Sequence, residues 1–225
     1  MIESHHPSEA WLLDFALGNL SAGFETVVRA HVGSCADCRE NVRLAESFGG
    51  ELLADFSSGE IALQAGEIEE YSDLKPRSAH QTAVMGSATI SRAVETVVTE
   101  SFEHFVETYL HSPISQLRWR SLGKDLKICR LTNEENIRLW MLKAQAGTVL
   151  PTHSHLGAEL TMVLKGSYFC GKEIFRAGDI EDADEETTHR PMVTDEGECI
   201  CLAVTEGELQ FKSWMPRLVQ PFIGI

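Results

Sequence analysis

The chain has 225 residues, with 43% hydrophobic and 24% charged side chains. That composition is ordinary for a globular protein and excludes collagen-like, low-complexity and wholly disordered classes. Acidic residues outnumber Lys and Arg by 34 to 19, a formal net charge of -15, and residues 1–70, with 3 basic and 13 acidic groups, hold -10 of it. Direct nucleic-acid binding needs clustered Lys and Arg, which so acidic a chain lacks. Its first third instead suits a basic partner surface, although acidic surfaces also serve solubility alone. No run approaches the roughly 18 apolar residues of a membrane span. The start, MIESHHPSEA, has neither the basic nor the apolar part of a secretory signal. The expectation is a cytoplasmic protein without a membrane-embedded part.

In chain order, residues 8–70 read as helical. Ser8 can cap EAWLLDFALG, and Gly18 stops it. Ser21 starts a second helix whose Phe24, Val27, Val28 and His31 recur at three-to-four spacing. A third spans about Asp37 to Leu53, with Val42, Leu44, Ala45 and Phe48 expected inside. A weaker helical stretch is GEIALQAGEIEE. Helices this short draw most of their stability from packing or from a metal. Residues 71–100, poor in large apolar side chains, read as a linker with SRAVETVVTE partly helical. SFEHFVETYL is an amphipathic helix ended by HSPIS at Pro113. From about Leu117 the pattern turns to period two in LKICRLT, IRLWMLKA, ELTMVLKGSYF, HRPMVT, CICLAVT and LQFKSWM. Gly-containing and acidic turns separate these runs, which predicts an all-β sandwich or barrel.

Two constellations carry chemistry. In HVGSCADC, His31 and Cys35 are four apart on one helix face, and Cys35-x2-Cys38 is the usual spacing for two thiolates around one tetrahedral ion. A fourth ligand must come from elsewhere, and the His5-His6 pair is its obvious source. Two thiolates and two imidazoles give a neutral site for Zn²⁺. The alternatives are a buried helix histidine beside incidental cysteines, or a redox CxxC, which would need a preceding strand in a βαβ setting.

Within a short acidic helical segment, HVGSCADC resembles the zinc-binding anti-sigma domain. With the HH near the start, the strands that follow and the ECICLAVTEGELQFKSWMPRLVQPF tail, nearly the whole chain is similar to the ChrR-like anti-sigma factors. The resemblance implies that the N-terminal helices bind an extracytoplasmic-function sigma factor and block its contacts with RNA polymerase and promoter DNA. It implies the ligand set His6, His31, Cys35 and Cys38, and it alone selects His6 over His5. It also implies release on an oxidative signal, notably singlet oxygen.

The second constellation is GTVLPTHSHLGAELTMVLKG, which matches the first cupin motif at Gly147, His153, His155, Glu159 and Gly166. His153 and His155 lie two apart on a strand and so share a face. The second motif is incomplete: Gly178-Asp179 and His189 are present, while the Pro-x-Gly and the late Asn are missing. His189 is the expected fourth ligand. Three His and one Glu can hold Zn, Fe, Ni or Mn, and the resemblance favours zinc. Cys199 and Cys201, two apart in a strand, read as small buried residues, or functionally as a redox-sensitive pair whose closure would strain an extended strand. Cys129 and Cys170 read as plain core. Trp11, Leu12 and Phe15 read as helix core or as part of a sigma-contact face.

The expected fold is α+β in two domains. A helical zinc domain covers 1–85, a linker with a helix covers 86–112, and a cupin-like metal-binding β-barrel covers 113–225. The expected function is sigma-factor sequestration without catalysis. The alternative is a metal-dependent cupin enzyme of the dioxygenase or isomerase class with an accessory zinc module; an enzyme would need a substrate clamp or further acid and base, and the sequence displays neither plainly.

Overall fold

The computed structural model describes residues 5–57, 102–110, 116–134 and 136–212. The expected helix GEIALQAGEIEE, the linker at 71–100, the HSPIS break and the residues after Lys212 lie outside the described residues. Three helices open the chain: α1 (Glu9–Ala16), α2 (Ala22–Ser34) and α3 (Ala36–Ser57). α1 and α2 begin after Ser8 and Ser21, as the sequence predicts, though neither serine side chain makes a capping hydrogen bond. Gly18 ends the first helix in the left-handed region, at φ 68°. α4 (Phe102–Tyr109) precedes the strands.

The β region is an antiparallel six-stranded sheet with two small sheets. The large sheet has the order β1 (Arg120–Ser121), β2 (Leu126–Glu134), β3 (Ile137–Ala144), β11 (Cys199–Glu206), β5 (Glu159–Lys165), β8 (Ile180–Ala183). One small sheet joins β10 (Met192–Val193), β6 (Ser167–Cys170) and β7 (Glu173–Arg176). The other joins β12 (Gln210–Phe211), β4 (His153–Ser154) and β9 (Thr188–His189). The expected single closed barrel is therefore corrected to three separate sheets among the described residues. Gly166 is the point of departure: at φ 75° it ends β5, and the chain leaves the large sheet to pair with β7 and β10. A Cβ there would lie 2.4 Å from the Glu198 carbonyl oxygen, so the motif glycine is required by backbone approach.

The large sheet is covered on both faces. Leu139, Met141, Leu160, Met162, Leu202 and Val204 share one core with Leu12, Phe24, Val27 and Val28 of the helices. Trp140 and Ala203, and farther along Val163, Cys199 and Cys201, belong to clusters formed by the side chains between these and on the opposite face. This is why β11 reads as a continuous apolar run rather than alternating with polar residues. The described residues 5–48, 102–110, 116–134 and 136–212 accordingly belong to one compact unit. Val27 and Val28 are fully buried, each contributing about 1.5–3 kcal/mol of apolar transfer.

α2 lies so close to the sheet that a Cβ on Gly23 would come 2.8 Å from Ile137 Cγ2 and 3.0 Å from Val204 Cγ2. Those methyls sit on β-branched side chains and cannot swing away. Gly23→Leu is expected to destabilise the protein by about 1–3 kcal/mol through overpacking, read as a lowered Tm in a thermal melt.

α3 departs from expectation in rotation. Cys38 and Val42, one turn apart, face inward, whereas Leu44 and Phe48 are 53% and 65% exposed and Ala45 is half-buried. The pattern Val42-x-Leu44-Ala45-x2-Phe48 is amphipathic, but the cysteine end of the helix is fixed by its contacts with His6, and that sets which stripe turns in. Trp11 stacks on Phe24 with ring centroids 4.7 Å apart, and Leu12 is buried, so this part of α1 is core.

Candidate metal centres

The four residues of the first constellation converge. His6 Nδ1 lies 3.3 Å from His31 Nε2, 3.5 Å from Cys35 Sγ and 3.3 Å from Cys38 Sγ, and all four ligand atoms lie within 4.8 Å of one another. Nitrogen at about 2.0–2.1 Å and sulfur at about 2.3 Å from a tetrahedral zinc lie about 3.3–3.8 Å apart, so this donor set fits Zn²⁺ in both chemistry and spacing. His31 is held by its other nitrogen: Nδ1 donates to the Gly178 carbonyl at 2.8 Å, leaving Nε2 free to ligate. Burial lowers the His31 pKa, which keeps the imidazole neutral as a ligand must be. Burial, with the Cys35 sulfur beside it, pushes the Cys38 thiol up to about 12. A dication held between the sulfurs would supply the charge that opposes this.

His5 goes elsewhere. Its backbone N–H donates to Asp179 Oδ1 at 3.3 Å, its Nδ1 lies 3.5 Å from Asp179 Oδ2, and its ring sits against Phe175. Spacing alone leaves the two histidines equivalent. The turn before β8 separates them by capturing His5.

The second constellation also converges, with the ligand atoms of His153, His155, Glu159 and His189 within 4.8 Å and all four side chains buried. Strand pairing builds it: His153 of β4 stands opposite His189 of β9, and Glu159 opens β5. Each histidine is oriented through Nδ1. His153 faces the Pro151 carbonyl at 2.9 Å, His155 the Asp184 carbonyl at 3.3 Å, and His189 the Glu181 carboxylate at 2.7 Å. The three Nε2 atoms are thus turned to one point, with 2.9 Å between those of His189 and His153. His155 Nε2 and Glu159 Oε2 are buried without a hydrogen-bond partner, 3.4 Å apart. Buried polar atoms are rarely left unpaired, and an ion shared among the four would satisfy them. Burial also lowers the His153 pKa, favouring the neutral ligand.

Sequence reasoning missed Glu181. It is a buried acid on a strand, accepting from Tyr168 Oη at 2.5 Å as well as from His189. Burial would raise its carboxyl, but the hydrogen bonds from His189, Cys170 and Tyr168 hold it below the usual carboxylate range. Its only sequence signal is an acid between Ile180 and Asp182 eight residues before the candidate ligand His189, which is weak. Glu181→Ala is expected to weaken metal binding at this centre about 10–100-fold, measured by chelator competition. Cys170, expected as plain core, is half-buried with its sulfur 3.5 Å from His189 Nδ1, so it joins the same outer layer.

One strand serves both centres. Outward, the Ile180 N–H donates to the His5 carbonyl at 3.0 Å, and Asp182 accepts from the Ser8 N–H and from Trp11 Nε1. Inward, Glu181 holds His189. Gly178, the partner of His31, lies three residues before Glu181 in the chain.

A cavity of about 520 Å³ opens against the second centre. Cys199 and Cys201 are part of its wall, with their sulfurs 3.6 Å apart. The β11–β5 register shifts between Ile200 and Cys201, so the strand is irregular at this pair. Cys129 is core.

Residues 109–210 match the ChrR cupin-like domain. Over 98% of its length the chain is 33% identical to the anti-sigma-E factor ChrR of Cereibacter sphaeroides, covering 98% of that protein. The chain belongs to the ChrR family. Its ChrR-family fold extends to a solved structure. The chain is 28% identical to a chain in the crystal structure of Rhodobacter sphaeroides SigE in complex with the anti-sigma ChrR, with a TM-score of 0.63 over 92% of this chain and 100% of that one. Among the described residues of this ChrR-family chain, no helix is long and apolar enough to cross a membrane.

Proposed function

We propose that this chain is a cytoplasmic anti-sigma factor that binds and sequesters an extracytoplasmic-function sigma factor, with no direct contact to nucleic acid. The observation that carries this reading is the end-to-end likeness to an anti-sigma-E factor and to a chain crystallised with SigE. Residues 1–85 are the sigma-binding portion, held by Zn²⁺ on His6, His31, Cys35 and Cys38. Residues 86–112 link it to a cupin-like portion, 113–225, with Zn²⁺ on His153, His155, Glu159 and His189. The zinc ions hold shape, and inhibition is occlusion. The same likeness supports a regulator over the enzyme reading.

The helices bring a suitable surface. Leu13, Leu17, Leu44 and Phe48 are all large, apolar and exposed, and Leu13 and Leu44 line a groove with Glu9 and Asn41. Apolar contact framed by acids fits a partner that is basic where it meets DNA. Release follows an oxidative signal such as singlet oxygen received in the cupin-like portion, where Cys199 and Cys201 are the redox-sensitive pair. A disturbance of the second centre reaches the first through Glu181, β8 and the Gly178 carbonyl.

The test is capture by the full-length chain from lysate of the native host, since the helices share their core with the sheet and are not to be cut away. An extracytoplasmic-function sigma factor retained in a stoichiometric complex is the expected outcome. Absence of any such factor from the captured material, in lysate shown to contain one, sinks the proposal.

A further inference from the structure

The first centre draws its candidate ligands from two kinds of place. His31 stands on α2, Cys35 at its C-terminal cap and Cys38 on α3, and the packing of those helices fixes them. His6 stands on no helix or strand and is exposed, yet its Nδ1 lies 3.3 Å from His31 Nε2, 3.5 Å from Cys35 Sγ and 3.3 Å from Cys38 Sγ. A side chain so near a chain terminus keeps its place only if its neighbours in sequence are tied down.

Two acids at β8 tie them. Before His6, the His5 N–H donates to Asp179 Oδ1 at 3.3 Å, and the His5 carbonyl accepts from the Ile180 N–H at 3.0 Å. After His6, Asp182 Oδ2 accepts from the Ser8 N–H at 3.3 Å, and Asp182 Oδ1 accepts from Trp11 Nε1 at 3.1 Å. Pro7, buried between these holds, has a fixed φ of its own. His6 is thus pinned on both sides to a part of the chain 174 residues further on.

Asp182 also replaces a local cap that α1 lacks. The Ser8 side chain makes no capping hydrogen bond. In a capping box, an acid or amide at the third helical position accepts from the N–H of the cap residue. Here the third position is Trp11, whose indole can only donate. Asp182 accepts from both, and its charge meets the positive end of the helix dipole. Trp11 in turn stacks on Phe24 of α2 at 4.7 Å, so the hold on α1 extends to the helix that carries His31. Alternation along β8 divides the duties: Glu181 turns inward to His189, and Asp182 turns outward to α1.

We propose that Asp182, supported by Asp179, is a positioning residue of the first metal centre: it clasps the His5–Trp11 segment to β8 and so holds His6 where it ligates. Opening the clasp makes the His6 ligand labile, and with it the ion of the first centre, while the second centre keeps its own. The inference rests on the metal reading of the first centre and adds a control that lies outside its ligands.

The test uses the full-length chain loaded with zinc, its zinc counted, and follows transfer of zinc to a chromophoric chelator. The double variant Cys35→Ser with Cys38→Ser, which keeps the second zinc alone, assigns the two phases. Asp182→Ala is expected to speed release of the first zinc at least roughly tenfold and to leave the second phase unchanged. Hydrogen exchange in peptides spanning residues 5–16 should rise in the same variant before any zinc leaves. Trp11→Phe keeps an aromatic ring against Phe24 and removes one donor to Asp182, so it should act more weakly and add nothing once Asp182 is gone. Equal acceleration of both zincs marks a general loss of structure and overturns the proposal. So does an unchanged first phase, unchanged exchange in the segment, or a Trp11→Phe effect undiminished in the Asp182→Ala background; with two zinc equivalents bound, each of these leaves the metal reading intact. Fewer than two equivalents in the unmodified chain overturn the metal reading, and this inference with it.

Discussion

Replacing Cys35 and Cys38 together by serine is expected to abolish capture of the sigma factor and to remove one of two zinc equivalents. Structural zinc contributes about 10 kcal/mol or more where a small domain depends on it entirely. Here the helices keep a core shared with the sheet, through Phe24, Val27 and Val28. The expected loss is therefore partial, a fall in Tm of roughly 10 °C, equivalent to about 3–4 kcal/mol for a unit of this size. The first zinc should also be the pH-sensitive one at its sulfurs. Burial and Cys35 hold the Cys38 thiol up at about 12, so protons compete strongly with the ion. Zinc affinity falls as pH falls, because each thiolate must keep its proton off to ligate. Zinc counting after gel filtration, at neutral and mildly acidic pH, checks both statements. Undiminished capture by the double variant would show that the cluster does not organise the binding face.

The second large effect is expected from Leu44→Asp combined with Phe48→Asp. Both side chains are more than half exposed, so neither supports the core, and the melt should stay where it was. Truncating a buried interface anchor costs about 2 kcal/mol or more. Placing a carboxylate there adds desolvation, so sigma-factor affinity should drop by at least roughly 100-fold. A variant that binds normally would place the contact on another surface. A variant that melts early would show instead that the two residues pack within the protein. Set beside the cysteine pair, this result separates loss of shape from loss of contact.

Much of the architecture was legible because its physical causes are local. Phe24, Val27, Val28 and His31 recur at helical spacing, and all four are buried. His153 and His155 lie two apart with Glu159 four further on, a spacing that suits few arrangements other than a shared ion on adjoining strands. Gly166 sits where a motif glycine was expected, and its left-handed φ shows why. What failed was of another kind. Leu44 and Phe48 were expected inside because amphipathic spacing fixes a stripe but not its direction. The closed barrel was expected because period-two runs fix strands but not which edges meet.

By itself the sequence determined the element types among the described residues and the family likeness, and it singled out the two His, Cys and Glu groups that the fold brings together, since propensity, periodicity and residue spacing act over a few residues. Only the tertiary structure decided that α2 lies on the large sheet, with Gly23 at the closest approach. It drew His5 to Asp179 and left His6 to the cysteines. It revealed Glu181 behind His189, and a single strand touching both centres. Each of these depends on contacts between residues far apart in the chain, where the deciding quantity is which surfaces can close on one another without leaving a buried polar group unpaired.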